Sequence, residues 1–411
     1  MHTEWCMFRV VDGPIHKNIL IRHLRQKMRN HRMSEQTDYK NIKLFPGLNS
    51  LRFMAAFLVL MHHSETIKSK HGIVNFDWLG LFKNGGNAVT FFFVLSGFLI
   101  TYLLLKERHK TATTSIKNFY LKRVLRIWPL YFLLVFIGTV ALPVAFGFVQ
   151  VDYEMPYTLG QTWYWFVFFL PGMVTFLYSS HFLEPLWSIG VEEVFYLMWA
   201  PLFKISKQHI LWLLIGVIVL KTVLSIVGHF YITNELFHYL MSIFKFEAMA
   251  VGGLGAWLVF TKGEAFVKSV AFKIPVQIAV FAVLVTFLTF HINIDNVVWQ
   301  AVFSTPVVSS LLVDVLFLYL ILCVSVVDHS IVKFRSKALS FLGEISYGIY
   351  MYHLLAIFIT IHFLKPFLQQ SNAATAHLLF YVLVSALTFI IASLSKYLFE
   401  DYFLRLKSKV G

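Results

Sequence analysis

Residues 48–64 read Leu48-Asn-Ser-Leu-Arg52-Phe-Met-Ala-Ala-Phe-Leu-Val-Leu-Met-His62-His63-Ser64. This is the first long apolar run in the chain, yet an arginine lies near its start and two histidines near its end. At about 3.6 residues per turn and 1.5 Å per residue, Arg52 and His63 are almost three turns apart. They therefore project from one face, roughly 16 Å from each other. Ala56 and Val59 lie between them on that face, small enough to leave a groove. A cation and an imidazole on one stripe of a membrane helix are costly to bury, and side chains of that kind mark pathways and reaction sites. The bland alternative has Arg52 snorkelling to the interface and His63 closing the far end.

Composition extends this reading to the whole chain. Hydrophobic residues form 58% of the 411, Phe alone numbers 43, and mean hydropathy is +0.70, which excludes an ordinary soluble domain. Runs of about 18 or more apolar residues read as membrane spans. They fall near 48–65, 86–105, 127–149, 186–203, 208–228, 240–260, 274–291, 304–327, 341–364 and 376–399. Residues 158–178 form an eleventh, ambiguous stretch.

Positive charge arbitrates, because cytoplasmic loops are enriched in Lys and Arg. With 158–178 left out and the N-terminus inside, the inner segments carry 27 Lys/Arg and the outer ones 4. Counting 158–178 as a span would put Lys204 and Lys207 outside and reverse every later loop. The expected fold is thus an all-α polytopic membrane protein of about ten transmembrane helices with both termini cytoplasmic. Residues 158–178, rich in aromatics and broken by Pro171-Gly172, are expected to re-enter the membrane or lie at its interface.

The net charge of +14 is then a cytoplasmic-face feature, explained by orientation and anionic headgroups rather than by nucleic acid. Cys6 and Cys323 fall in a basic tail and an apolar run, so no disulfide framework is expected. No metal site is read from the sequence. Residues 1–47 form a basic tail without a cleavable signal core, and residues 1–32 are expected to be dispensable, with Met28 or Met33 as an alternative start. The membrane domain is expected over 48–403, followed by a short basic tail, 404–411. The multi-pass chain is expected in the inner, or plasma, membrane.

Four further motifs stand out. Phe91-Phe-Phe-Val-Leu-Ser96-Gly97 puts two small residues in the second span, either for close helix packing or as a thin wall beside a channel. Tyr120-Leu-Lys122-Arg123-Val-Leu-Arg126-Ile-Trp128-Pro129 brings Arg123 and Arg126 to one face; with Pro129 in the first turn of a helix, both are expected at the cytoplasmic interface. Paired guanidinium groups suit a phosphate-bearing ligand, and plain interfacial anchoring is the alternative. Pro185-Leu-Trp187-Ser188-Ile-Gly-Val-Glu192-Glu193 places two adjacent carboxylates inside an apolar span, where acidic groups face the protein interior. Gly343-Glu-Ile-Ser346-Tyr347-Gly-Ile-Tyr350-Met-Tyr-His353 places a histidine near mid-membrane, with a satisfied core residue as its simplest role. Lys221, Glu247 and Asp314 are intramembrane as well, and the sequence names no partners for them.

From about Pro46 to Lys407 the chain resembles the integral-membrane acyltransferases of acyltransferase family 3, bacterial O-acetylases of cell-surface polysaccharides and their relatives. Arg52 and His63 look like the family's Arg-x10-His element. Phe92, Phe93, Ser96 and Gly97 match its Phe-Phe-x-x-Ser-Gly signature. Arg123 and Arg126 match its basic motif, with Lys122 where an arginine is common. Leu186-Trp187-Ser188 through Glu192-Glu193 and Phe195-Tyr196 resembles a further family segment, as do Gly343 to His353 and Phe399 to Leu406. Asn49, where Asp is frequent, and Val194, where Gln is, are the departures.

The resemblance implies transfer of an acyl group, typically acetyl, from acetyl-CoA to a hydroxyl of a glycan or lipid-linked saccharide at the other face. Acetyl-CoA is then a substrate, and no bound cofactor is expected. Some relatives carry a fused extracytoplasmic esterase-like domain; none is read in this sequence. In the implied roles His63 is the general base, and Glu192 or Glu193 orients it or stabilises the imidazolium formed in the transition state. Arg123, Arg126 and Lys122 hold the CoA phosphates, and Arg52 guides the donor or polarises the thioester carbonyl. Ser96, Gly97, Trp187, Ser188, Tyr347 and His353 line or pack the channel. An imidazole, with an ordinary pKa of about 6.5, suits a base near neutral pH. The rival class is a transporter or flippase using the same polar groups, against which the absence of paired broken helices and internal repeats argues.

Overall fold

The computed structural model describes residues 38–149, 156–179, 182–290, 306–334 and 336–410, and every regular element among them is helical. Cys6, Met28 and Met33 lie outside the described residues. Apart from Leu142–Val149, which continues the third helix, and the single turn Glu264–Val267, the α-helices in chain order are α1 (Leu48–Lys70), α2 (Gly85–Thr111), α3 (Ile116–Phe136), α4 (Leu159–Val167), α5 (Pro171–Tyr178), α6 (Leu186–Ser206) and α7 (Ile210–Tyr231). They continue as α8 (Glu235–Ile243), α9 (Phe246–Lys262), α10 (Ile274–Phe290), α11 (Pro306–Ser325), α12 (Lys337–Glu344), α13 (Ser346–Gln370), α14 (Ala373–Ser395) and α15 (Asp401–Ser408).

Among the described residues, seven segments are long and apolar enough to cross a membrane: Gly85–Thr111, Ile116–Phe148, Ile210–Tyr231, Glu235–Lys262, Val307–Ser325, Ser346–Gln370 and Ala373–Ser408. Of the other three expected spans, α10 is described over 17 residues. The remaining two are α1 and α6, whose hydropathy is lowered by the charged and histidine residues that single them out. The outer helices turn apolar faces away from the protein. On α7, Trp212, Leu220, Val223 and Phe230 are all exposed, a face that suits lipid rather than water.

Residues 158–178 fold as the short helices α4 and α5, of nine and eight residues, and neither is long enough to cross alone. The turn between them puts Phe169 at φ 56°, and its ring packs 5.1 Å from Trp128 and 4.8 Å from Tyr131 on α3.

The closest helix contact joins α2 to α9. A Cβ on Gly97 would overlap the Met249 carbonyl, and one on Gly252 would overlap the Val94 carbonyl, so the two backbones touch. Of the Ser96-Gly97 pair, Gly97 thus packs directly on the α9 backbone.

Two sequence expectations are corrected. Ala56 and Val59 are almost fully buried (0% and 1% exposed), so the stripe between Arg52 and His63 is packed rather than open. And α3 starts at Ile116, where the Ser115 hydroxyl accepts from the Asn118 N–H (3.3 Å), so Pro129 lies within the helix, not in its first turn. Arg123 and Arg126 therefore stand two to three turns inside α3.

The far end of α1 is held by a buried ion pair. Glu65 and Lys68 are both fully buried and 2.7 Å apart. Glu65 also accepts from the Phe76 N–H (2.5 Å) and the Tyr381 hydroxyl, while Lys68 Nζ lies 2.9 Å from His377 Nδ1. Removing one member leaves a charge buried without its counterion, which costs about 3–5 kcal/mol. Lys68→Met is accordingly expected to lower the melting temperature of the purified protein sharply, and an unchanged melt would show that the pair does not secure α1.

Candidate active site

A cavity of about 340 Å³ opens between α1, α2, α3, α6 and the first turn of α13. The separate motifs meet here. Arg52 comes from α1, Ser96 from α2, Arg123 and Arg126 from α3, Ser188 and Glu192 from α6, and Tyr347 from α13.

Each side chain is held by a specific neighbour. Arg52 donates to Asn49 Oδ1 (3.1 Å), one turn earlier on α1. Asn49 is fixed in turn by α12, because Gly343 sits directly on the Asn49 backbone, where any Cβ would overlap it. Glu192 accepts from the Ser96 hydroxyl and the Tyr196 hydroxyl, both at 2.8 Å. Arg123 lies 5.8 Å from the Phe119 ring and 5.9 Å from the Tyr196 ring, distances at which a guanidinium is attracted to an aromatic face. The Tyr347 hydroxyl donates to the Ile127 carbonyl (3.2 Å), tying α13 to α3, and Ser188 and Tyr350 share a hydrogen bond of 2.8 Å.

The cavity is strongly cationic. Lys43 and Lys106 join the three arginines in its wall, against the one carboxylate Glu192. Such a site attracts polyanions, and planar guanidinium groups match phosphate in particular.

His63 lies outside the lining of this cavity. Its Nδ1 is 3.1 Å from His353 Nε2 and 3.1 Å from the Val59 carbonyl, and His353 Nδ1 is 2.6 Å from the Tyr350 carbonyl. A carbonyl only accepts, so the hydrogen-bond network assigns the protons. His353 carries its proton on Nδ1 and offers the Nε2 lone pair. His63 then donates from Nδ1, which leaves the lone pair of His63 on Nε2. An imidazole in this tautomer is ready to accept a proton at Nε2.

The expected pairing of His63 with a glutamate is corrected. Glu192 is engaged by Ser96 and Tyr196, and Glu193 accepts from the Trp128 indole N–H (2.9 Å), leaving His353 as the group that orients His63. His353, expected as a core residue, thus has a defined polar role. Lys122 does not line the cavity, and Trp187 packs its ring against Phe93 at 6.0 Å instead. Sequence reasoning missed Asn49, Lys43, Lys106 and Tyr350. Tyr350 carried a signal in its spacing of one turn from His353, and Asn49 only as a departure from the family pattern.

A model of the acyltransferase domain family matches residues 45–396. A peptidoglycan O-acetyltransferase of Listeria monocytogenes is 26% identical over 375 residues, covering 88% of this chain and 56% of that protein. A Staphylococcus aureus protein named "Putative O-acetyltransferase" is 27% identical over 337 residues, covering 78% of this chain and 52% of its own length. The chain thus spans about half the length of these curated relatives. No solved structure matches it. Since the matched region contains every motif that meets in the cavity, the chain belongs to the acyltransferase domain family.

Proposed function

We propose that this chain is a multi-pass cell-membrane O-acetyltransferase that moves an acetyl group from acetyl-CoA on the cytoplasmic side to a hydroxyl of a cell-surface glycan on the other. One observation carries the reading: Arg52, Arg123 and Arg126, from separate motifs, converge in one cavity whose Tyr350 wall leads in a single turn to the His353–His63 pair. The names of the relatives support a glycan of the cell wall as acceptor.

In this reading ten helices span the membrane with both termini cytoplasmic, as the asymmetry of 27 against 4 basic residues implies. The cavity then faces the cytoplasm, and Arg123, Arg126 and Lys106 receive the phosphates of CoA. Arg52, held by Asn49, guides the donor into the cavity. His63 Nε2 takes the proton of the attacking hydroxyl. The new C–O bond forms as the C–S bond breaks, and the imidazolium returns its proton to the departing thiolate, yielding the acetyl ester and free CoA.

The test is covalent. Protein reconstituted with radiolabelled acetyl-CoA and glycan strands of the cell wall is expected to place label on the glycan as base-labile ester. Uptake or release of saccharide without such an ester would identify a transporter instead.

A further inference from the structure

A second polar cavity, of about 300 Å³, lies against the opposite end of α2, among α7, α8, α9, α10 and α11. It shares no residue with the cavity above. Its helices contribute side chains from the ends that the charge asymmetry places outside.

Its charges balance. Lys221 Nζ stands 4.0 Å from Glu247 Oε2 and donates to the Met241 carbonyl (2.5 Å), and Lys245 donates to the Thr90 hydroxyl (2.8 Å). Asp314, fully buried, lies within electrostatic reach of Glu247 and of both lysines. Two cations stand against Glu247 in the lining and Asp314 near it, so the charge is matched largely within the protein.

The hydrogen bonding does not balance. Glu247 is 7% exposed; its Oε1 accepts from Ser310 (3.3 Å), and Oε2 has no hydrogen-bond partner among the described residues. A buried acceptor in this state calls for a ligand that donates hydrogen bonds. Thr222 and Ser225 of α7 add hydroxyls to the lining, and Phe287 supplies an apolar wall. A neutral polyhydroxylic ring, with O–H groups at its rim and C–H groups on its faces, satisfies all of these surfaces at once.

The position fits as well. Asn87 lines the cavity and donates to Asn84 Oδ1 (2.7 Å), while the His62 ring packs over Gly85 in the same turn of α2. One turn of helix therefore separates this cavity from His62, whose ring lies 5.2 Å from that of His63. We propose that the cavity is a saccharide subsite, holding a neutral sugar unit of the acceptor while an adjoining unit is acetylated. This rests on the acyl-transfer reading above.

Saturation-transfer NMR on the full-length protein in nanodiscs tests it, with N-acetylglucosamine, glucose and galactose as probes and acetyl-CoA titrated separately. At least one sugar is expected to bind. Thr222→Val/Ser225→Ala is expected to weaken it about tenfold, as two lost hydrogen bonds would, with acetyl-CoA affinity unchanged. Should the double variant fail to fold, Ser310→Ala serves in its place. Absence of a signal from every sugar, or a signal that both variants leave intact, would overturn the subsite. Sugar binding by a wild-type protein that does not bind acetyl-CoA would uphold the subsite and instead sink the acyl-transfer reading.

Discussion

His63→Ala is expected to lower acetyl transfer about a thousandfold while the protein inserts, folds and binds acetyl-CoA as before. General-base catalysis by a positioned side chain contributes roughly 10²–10⁴-fold, and neither nearby glutamate is free to substitute. Glu192 is occupied by the Ser96 and Tyr196 hydroxyls, and Glu193 by the Trp128 indole. Because His63 stands outside the cationic cavity, its loss leaves donor binding alone: kcat falls and the KM for acetyl-CoA stays. The network also ranks its neighbour. His353 acts through His63 as a positioning residue, so His353→Ala is expected to cost less, about 10–100-fold, again in kcat. His353→Gln, whose amide oxygen still accepts from His63 Nδ1, is expected to restore part of that loss, which a purely space-filling role would not explain. Full transfer by His63→Ala would remove the base assignment.

The second large effect lies on the donor. Arg123→Ala/Arg126→Ala is expected to raise the KM for acetyl-CoA about a hundredfold or more, since each hydrogen bond to a charged group contributes roughly 1.5–3 kcal/mol. Both side chains line the cavity, and Arg123 is held in place there by the Phe119 and Tyr196 rings. A donor without phosphates isolates the cause. With acetyl-pantetheine, wild-type and double variant are expected to react alike, slowly, because the thioester is present and the anionic groups are not. An equal deficit with both donors would mean that the arginines shape the cavity rather than hold phosphate.

Much of this was legible in the sequence, for reasons tied to the bilayer. Charged groups in apolar spans are too costly to be casual, so Arg52, His63, Glu192 and Glu193 stood out against their surroundings and all proved to have specific polar partners or a place in the cavity wall. The weak points were long-range contacts. No local pattern links His353 to His63, 290 positions apart, and a histidine in a helix reads the same whether it packs or pairs. The stripe logic of α1 correctly placed Arg52 and His63 on one face, but it cannot say what fills that face, and the core took up Ala56 and Val59. Pro129 misled because proline is common in first turns, whereas here the helix had already begun thirteen residues earlier, at Ile116. Asn49 drew notice only as a departure from the family pattern, yet it is the residue that orients Arg52.

The account places donor and acceptor on opposite sides of one membrane, linked by α1. Reconstitution in vesicles of known protein orientation examines this directly, with labelled acetyl-CoA confined to the side that bears Lys43, Lys106 and the α3 arginines, and cell-wall glycan only on the other. The account predicts labelled ester on the glycan, with free CoA retained on the donor side, and none when the two substrates are exchanged. Ester formation only when donor and glycan share a compartment would contradict it.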